Sequence, residues 1–152
     1  MLRVGLLGAG RIGRIHGGNV AKHAAATLVA VADALPQAAQ ALADETGAKA
    51  ASLDAIIDDK AIDAVLICTP TDTHADLIER AAKAGKAIFC EKPIDLSSDR
   101  IRACLKIVSK AGIPLMIGFN RRFDPNFAAL KQRLAAGEAG AIEIVSVISR
   151  DP

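Results

Sequence analysis

Leu2-Arg3-Val4-Gly5-Leu6-Leu7-Gly8-Ala9-Gly10-Arg11-Ile12-Gly13 is a short apolar run that ends in glycines at i, i+2 and i+5. Each glycine of Gly8-x-Gly10-x-x-Gly13 has its own reason. A side chain at Gly8 would block the tight turn, one at Gly10 would hold a phosphate away from the backbone, and one at Gly13 would push the following helix off the strand. The helix start then offers bare N–H groups, with the helix dipole behind them, to an anionic ligand. The stretch therefore predicts a strand, a turn and a helix that grip a pyrophosphate. Gly8, Gly10 and Gly13, with the intervening Arg11 and Ile12, are the first candidate cofactor-binding residues.

The next signal outward is Asp33, which closes the apolar run Thr27–Ala32 twenty residues after Gly13. A carboxylate there can accept both adenosine ribose hydroxyls and would repel a 2′-phosphate. Ala34-Leu35-Pro36 brings no Arg or Lys to bind such a phosphate. The cofactor implied is NAD rather than NADP.

Beyond Asp33, apolar runs alternate with helical patterns. Strands are predicted at Leu2–Leu7, Thr27–Ala32, Ala64–Cys68, Lys86–Cys90 and Pro114–Gly118, with a short extended piece near Lys49–Ala51. Helices are predicted at Arg11–His23, Pro36–Thr46, Leu53–Asp58, Thr73–Ala84, Ser98–Ala111 and Pro125–Ala136. Runs apolar on both faces indicate parallel strands covered by helices on both sides, and right-handed crossovers make a Rossmann doubly wound α/β sheet the default. Residues 1–120 read as the NAD-binding domain. Residues 121–152 read as a connecting helix and the first strand, Ala141–Ser149, of a truncated second α/β domain. A lone strand of this kind is not stable by itself; Ile142–Ile148 is expected to pair between copies or to be poorly ordered.

Composition narrows the classes. The chain has 152 residues, 51% hydrophobic and 24% charged, which fits a globular domain rather than a disordered chain. A net charge of +2 with 3% aromatic residues gives no support for nucleic acid or an anionic membrane surface. The N-terminal apolar stretch ends at Gly8, too short to span a bilayer. Cys68, Cys90 and Cys104 are odd in number and form no C-x-x-C pair. They suggest a reducing, cytoplasmic setting and inert core thiols.

Three further segments fall at the C-terminal edge of the predicted sheet, where ligands bind in this architecture. In Cys68-Thr69-Pro70-Thr71-Asp72-Thr73-His74, Thr69 and Pro70 are expected to line the cofactor. His74 starts a helix, where an imidazole can cap or bridge backbone groups, and His16 reads as a first-helix residue packed near the glycine turn. In Glu91-Lys92-Pro93, Lys92 follows a strand end on the nicotinamide side. Partial burial would lower its basicity toward the working range, while the adjacent carboxylate acts the other way. Such a lysine can bond a substrate hydroxyl and help remove its proton, and Pro93 is a candidate for a cis bond. In Gly118-Phe119-Asn120-Arg121-Arg122-Phe123-Asp124-Pro125, Asn120 and Arg121 could reach the nicotinamide, its ribose or the substrate. Asp124 and Pro125 read equally well as N-cap and first residue of a helix.

GLLGAGRIGRIHGGN, VAVAD, CTPTDTHADL, EKPIDL, GFNRRFDP and the closing VISRDP, in this order, resemble the glucose–fructose oxidoreductase/inositol dehydrogenase (Gfo/Idh/MocA) family over essentially the whole chain. The resemblance implies NAD-dependent oxidation of a polyol, such as myo-inositol to 2-keto-inositol, with Lys92 matching the catalytic lysine. Gly8, Gly10, Gly13 and Asp33 match cofactor residues, as do Thr69, Pro70, His74, Glu91 and Asn120. Homo-oligomers are implied as well. The family's Asp and His from a second domain have no counterpart in these 152 residues, so the expectation is a shortened chain that binds NAD with little or no turnover. A stand-alone NAD-binding or sensing module, or a dehydrogenase of another sugar, is the alternative.

Overall fold

Six parallel strands lie side by side in the order β3-β2-β1-β4-β5-β6. The computed structural model describes residues 1–150. The strands are β1 (Leu2–Leu7), β2 (Ala26–Ala32), β3 (Lys49–Ala50), β4 (Ala64–Ile67), β5 (Ala87–Cys90) and β6 (Leu115–Ile117). The helices are α1 (Arg11–Ala21), α2 (Pro36–Thr46), α3 (Leu53–Asp58), α4 (Thr71–Lys83), α5 (Ser98–Ala111) and α6 (Pro125–Ala135).

The order reverses at β1: from there the chain winds outward through β2 and β3, then returns to place β4 on the other side. Alternation along β1 supplies both cores. Val4 and Leu6 pack with Leu28, Val31, Ala39 and Leu42 beneath α1 and α2. Leu7 points the other way, into a cluster with Ile56, Val65, Ile67, Ile78 and Cys104 beneath α3, α4 and α5. The sheet is covered by helices on both faces, as the continuous apolar runs require.

Local chemistry sets the helix ends. Ser52 and Ser97 accept the Ala55 and Arg100 amides as N-caps. Gly47 and Gly112 close α2 and α5 in the left-handed conformation, with φ of 73° and 68°. Lys86 is a polar residue inside the fold: its Nζ donates to the carbonyls of Asp59 at 2.6 Å and Ile62 at 2.8 Å, tying the entry of β5 to the loop before β4.

The compact unit that carries the sheet runs from Met1 to Gly118, and a second unit begins at Phe119. In the second unit a 3-10 turn (Asn120–Phe123) leads into α6, whose N-cap Asp124 accepts the Asn126 and Phe127 amides. The strand predicted at Ala141–Ser149 does not form: residues 141–150 have no regular structure, and Ile144, Val147 and Ile148 are exposed. A strand needs a neighbour for its backbone groups, and no described strand pairs with this segment. The last two residues of the predicted second-domain segment 121–152 lie outside the described residues. No helix among the described residues is long and apolar enough to cross a membrane.

Candidate functional site

At the C-terminal edge of β1 the chain turns through Gly8 into α1. Gly8 has φ of 98°, and a Cβ there would stand 2.5 Å from the Cys68 carbonyl oxygen. Only glycine fits both the conformation and the space. At Gly13 a Cβ would fall 1.9 Å from the Gly8 carbonyl oxygen, so the helix could not lie this close to the turn. Gly10 differs: nothing stands within 4 Å of where its Cβ would be. Protein packing does not require that glycine, whereas a ligand approaching the backbone does. Gly10 is also the N-cap of α1, with no side-chain cap and no acidic residue in the first turn. The leading amides of α1 are therefore left for an anion.

The cleft in front of this turn holds about 800 Å³ and is lined by Gly8, Gly10, Arg11, Ile12, Asp33, Thr69 and Pro70 among others. Seven of the sequence-predicted residues thus come together. Asp33 follows β2 directly; its Oδ2 accepts the Ala9 amide at 2.6 Å and its Oδ1 the Leu35 amide at 2.8 Å. A carboxylate offers about four lone-pair sites, so two remain for a ligand. Thr73 Oγ1 donates to the Pro70 carbonyl at 2.7 Å, and its single proton being spent, Thr69 Oγ1 must be the donor in its 2.6 Å contact with Thr73. Thr73, Leu77, Leu35 and Leu53 also line the cleft and were not singled out from the sequence. For two of them the spacing of Thr73 and Leu77, four residues apart in the first turns of α4, was the available signal.

His74 is 2% exposed and does not line the cleft. Its Nε2 and Nδ1 lie 2.7 Å from the carbonyl oxygens of Thr69 and Pro93, so the ring ties the end of β4 to the Glu91–Pro93 loop. The Lys92–Pro93 bond is cis. Glu91 is half-buried and pairs with His16, Nε2 to Oε1 at 2.8 Å. Lys92 follows at the end of β5 with an exposed side chain. The partial burial expected of Lys92 is therefore not supplied by the described residues. Asn120 and Arg121 belong to the second unit, where Arg121 lies 3.9 Å from Asp124 and stacks over Phe127 at 5.6 Å.

All three cysteines are buried and free. Burial pushes the Cys68 thiol up to about 12, with the charge of Glu91 adding to the effect, and pushes Cys90 up to about 12. They are packing residues and not nucleophiles.

A strand, a glycine turn and a helix at the reversal point of a doubly wound sheet, with an acidic residue at the neighbouring strand tip, define a dinucleotide-binding Rossmann domain. Residues 2–119 match the model of the GFO_IDH_MocA family, "Oxidoreductase family, NAD-binding Rossmann fold", and the chain belongs to that family. Inositol 2-dehydrogenase of Rhizobium meliloti (strain 1021) is 60% identical over 151 residues, which cover 99% of this chain and 46% of that protein. A myo-inositol dehydrogenase structure from Corynebacterium glutamicum superposes with a TM-score of 0.86 at 44% identity, over 94% of this chain and 43% of that one. Scyllo-inositol dehydrogenase from Lactobacillus casei, solved with NAD(H) and scyllo-inositol, gives 0.87 at 33% identity, over 92% and 42%. The chain spans about half the length of the curated relatives it matches.

Proposed function

We propose that this chain is the cofactor-binding part of a dehydrogenase that oxidises a ring polyol, with myo-inositol to its 2-keto product as the leading case. The observation that carries the reading is the open space at Gly10, at the end of a strand that has β2 and its Asp33 on one side and β4, β5 and the Glu91–Lys92 loop on the other. A dinucleotide laid across the turn would have its adenosine at the tip of β2 and its nicotinamide toward β4 and β5. NAD supplies a hydride acceptor when bound. Lys92, with Glu91 beside it, would bond the substrate hydroxyl and help its proton leave. Thr69 and Pro70 would line the cofactor directly, and His74 would act through the Thr69 and Pro93 carbonyls it holds. For Asn120 and Arg121 the reading as cofactor residues rests on the sequence, as does assembly into homo-oligomers.

By itself the 152-residue polypeptide would bind NAD with little turnover. Each of its three histidines has a structural partner: His16 on Glu91, His23 on the Ala25 amide, His74 on two carbonyls. No hydrogen bond links any of the three to the Lys92 side chain as a second proton carrier, and such help is worth roughly 10²–10⁴-fold in rate. The test is a fluorescence titration with NADH, followed by NAD plus myo-inositol with absorbance followed in the NADH band. Binding with little absorbance gain supports the reading, and steady turnover contradicts the second half of it. A chain that ignores NADH contradicts all of it.

A further inference from the structure

One side-chain cluster lies at the end of β5, outside the residues that line the cleft. His16 is one helical turn beyond Ile12 on α1, and its Nε2 stands 2.8 Å from Glu91 Oε1. The two side chains are 23% and 17% exposed. The imidazole meets the Phe89 ring edge-on, with centroids 4.9 Å apart. The other carboxylate oxygen, Oε2, accepts the Lys92 amide at 3.3 Å. Gly118 leaves room for this arrangement, since a Cβ there would come within 3.0 Å of Glu91 Oε1 and 3.1 Å of the Phe89 ring. Three elements, α1, β5 and the end of β6, thus converge on one carboxylate.

We infer that His16 is a positioning residue for the nicotinamide end of the cofactor site: it clamps Glu91, and Glu91, through the Lys92 amide, fixes the loop that carries the proposed catalytic lysine. The inference rests on the proposed NAD-dependent reading. The physical reason is rotamer freedom. A glutamate at a strand end with one partner can swing, whereas a carboxylate held at both oxygens has one arrangement. The pair is not needed to seat α1. That helix is already fixed by Gly13 against the turn and by Gly17, whose missing Cβ would stand 3.2 Å from Leu6. A contact that the fold does not need, placed beside the reacting end of the crevice, is better explained by what it orients.

The test uses two probes on the 152-residue chain: ADP-ribose, which has every part of the cofactor except nicotinamide, and NADH. His16→Leu removes the imidazole at similar volume, and His16→Gln keeps an N–H donor at the reach of Nε2. His16→Leu should weaken NADH by roughly five- to ten-fold, the value of one part-buried hydrogen bond, and leave ADP-ribose unchanged. His16→Gln should recover most of the loss, and Gly118→Ala, which crowds Glu91 from the other side, should reproduce it. The inference is overturned if His16→Leu binds NADH like the parent, if it weakens ADP-ribose by the same factor, or if His16→Gln recovers nothing. A parent chain that binds neither probe would refute the cofactor reading itself, and the role of His16 with it.

Discussion

The Asp33 carboxylate at the tip of β2 reaches the amide of Ala9 in the glycine turn at 2.6 Å. The group that would read the adenosine ribose therefore also braces the turn that would hold the pyrophosphate. Two parts of the site, 24 residues apart in the chain, are set by one side chain.

Asp33→Ala should affect both at once. It removes an acceptor from the Ala9 and Leu35 amides and the acceptors for the ribose, and NADH affinity should fall ~10–100-fold. The parent chain should prefer NADH to NADPH, because Asp33 opposes a 2′-phosphate. Parallel titrations with the two coenzymes check this, and equal or tighter binding of NADPH would overturn the role given to Asp33.

Gly10 and Gly13 should separate binding from folding. Gly13→Ala puts a methyl group 1.9 Å from a carbonyl oxygen, and overpacking of this kind costs ~1–3 kcal/mol in stability. Gly10→Ala meets open space and costs only the poorer N-cap that alanine makes, so chemical denaturation should show a change within ~1 kcal/mol of the parent. NADH binding should nevertheless weaken markedly, since the new methyl group occupies the approach to the backbone amides. A Gly10→Ala variant that binds as well as the parent would mean no phosphate sits there.

Lys86 offers a control far from the cleft, at the opposite edge of the sheet. Lys86→Met keeps the stem and removes the ammonium that satisfies the Asp59 and Ile62 carbonyls. Stability should drop by ~1–3 kcal/mol, with NADH affinity unchanged. Denaturant melts and the same fluorescence titration measure the two halves of this expectation.

The thiols should be silent. With Cys68 and Cys90 pushed up to about 12 and Cys104 up to about 11 by burial, the thiolate is scarce at neutral pH and the sulfurs are shielded. A thiol reagent should label the folded chain only slowly and all three cysteines once denaturant is added. Fast labelling of the native chain at neutral pH would contradict the packing described around β4, β5 and α5.

Much of the fold was legible because it is written in short-range rules. The apolar runs at Leu2–Leu7 and Ala64–Cys68, the proline at the head of α2 and the glycines after α2 and α5 place elements to within a residue or two. The glycine turn and Asp33 were legible for the same reason, each residue type being forced by a local geometry. What escaped depends on contacts between distant segments. The His16–Glu91 pair joins residues 75 apart, and Lys86 is buried because two carbonyls from another loop meet it; neither leaves a mark in local pattern. Lys92 was expected half-buried because it follows a strand end, between Glu91 and Pro93, yet burial is decided by what covers a loop. The strand expected at Ala141–Ser149 failed for a related reason: β-propensity supplies a pleat, but only a partner supplies the ladder.

The most direct measurement is an amide chemical-shift map of the isotope-labelled chain titrated with NAD. The account predicts that the largest saturable changes fall on Ala9, Gly10, Arg11 and Ile12 and on the residues following β2 and β4, with little change around Lys86. Shifts confined to other surfaces, or no saturable change at the glycine turn, would contradict it.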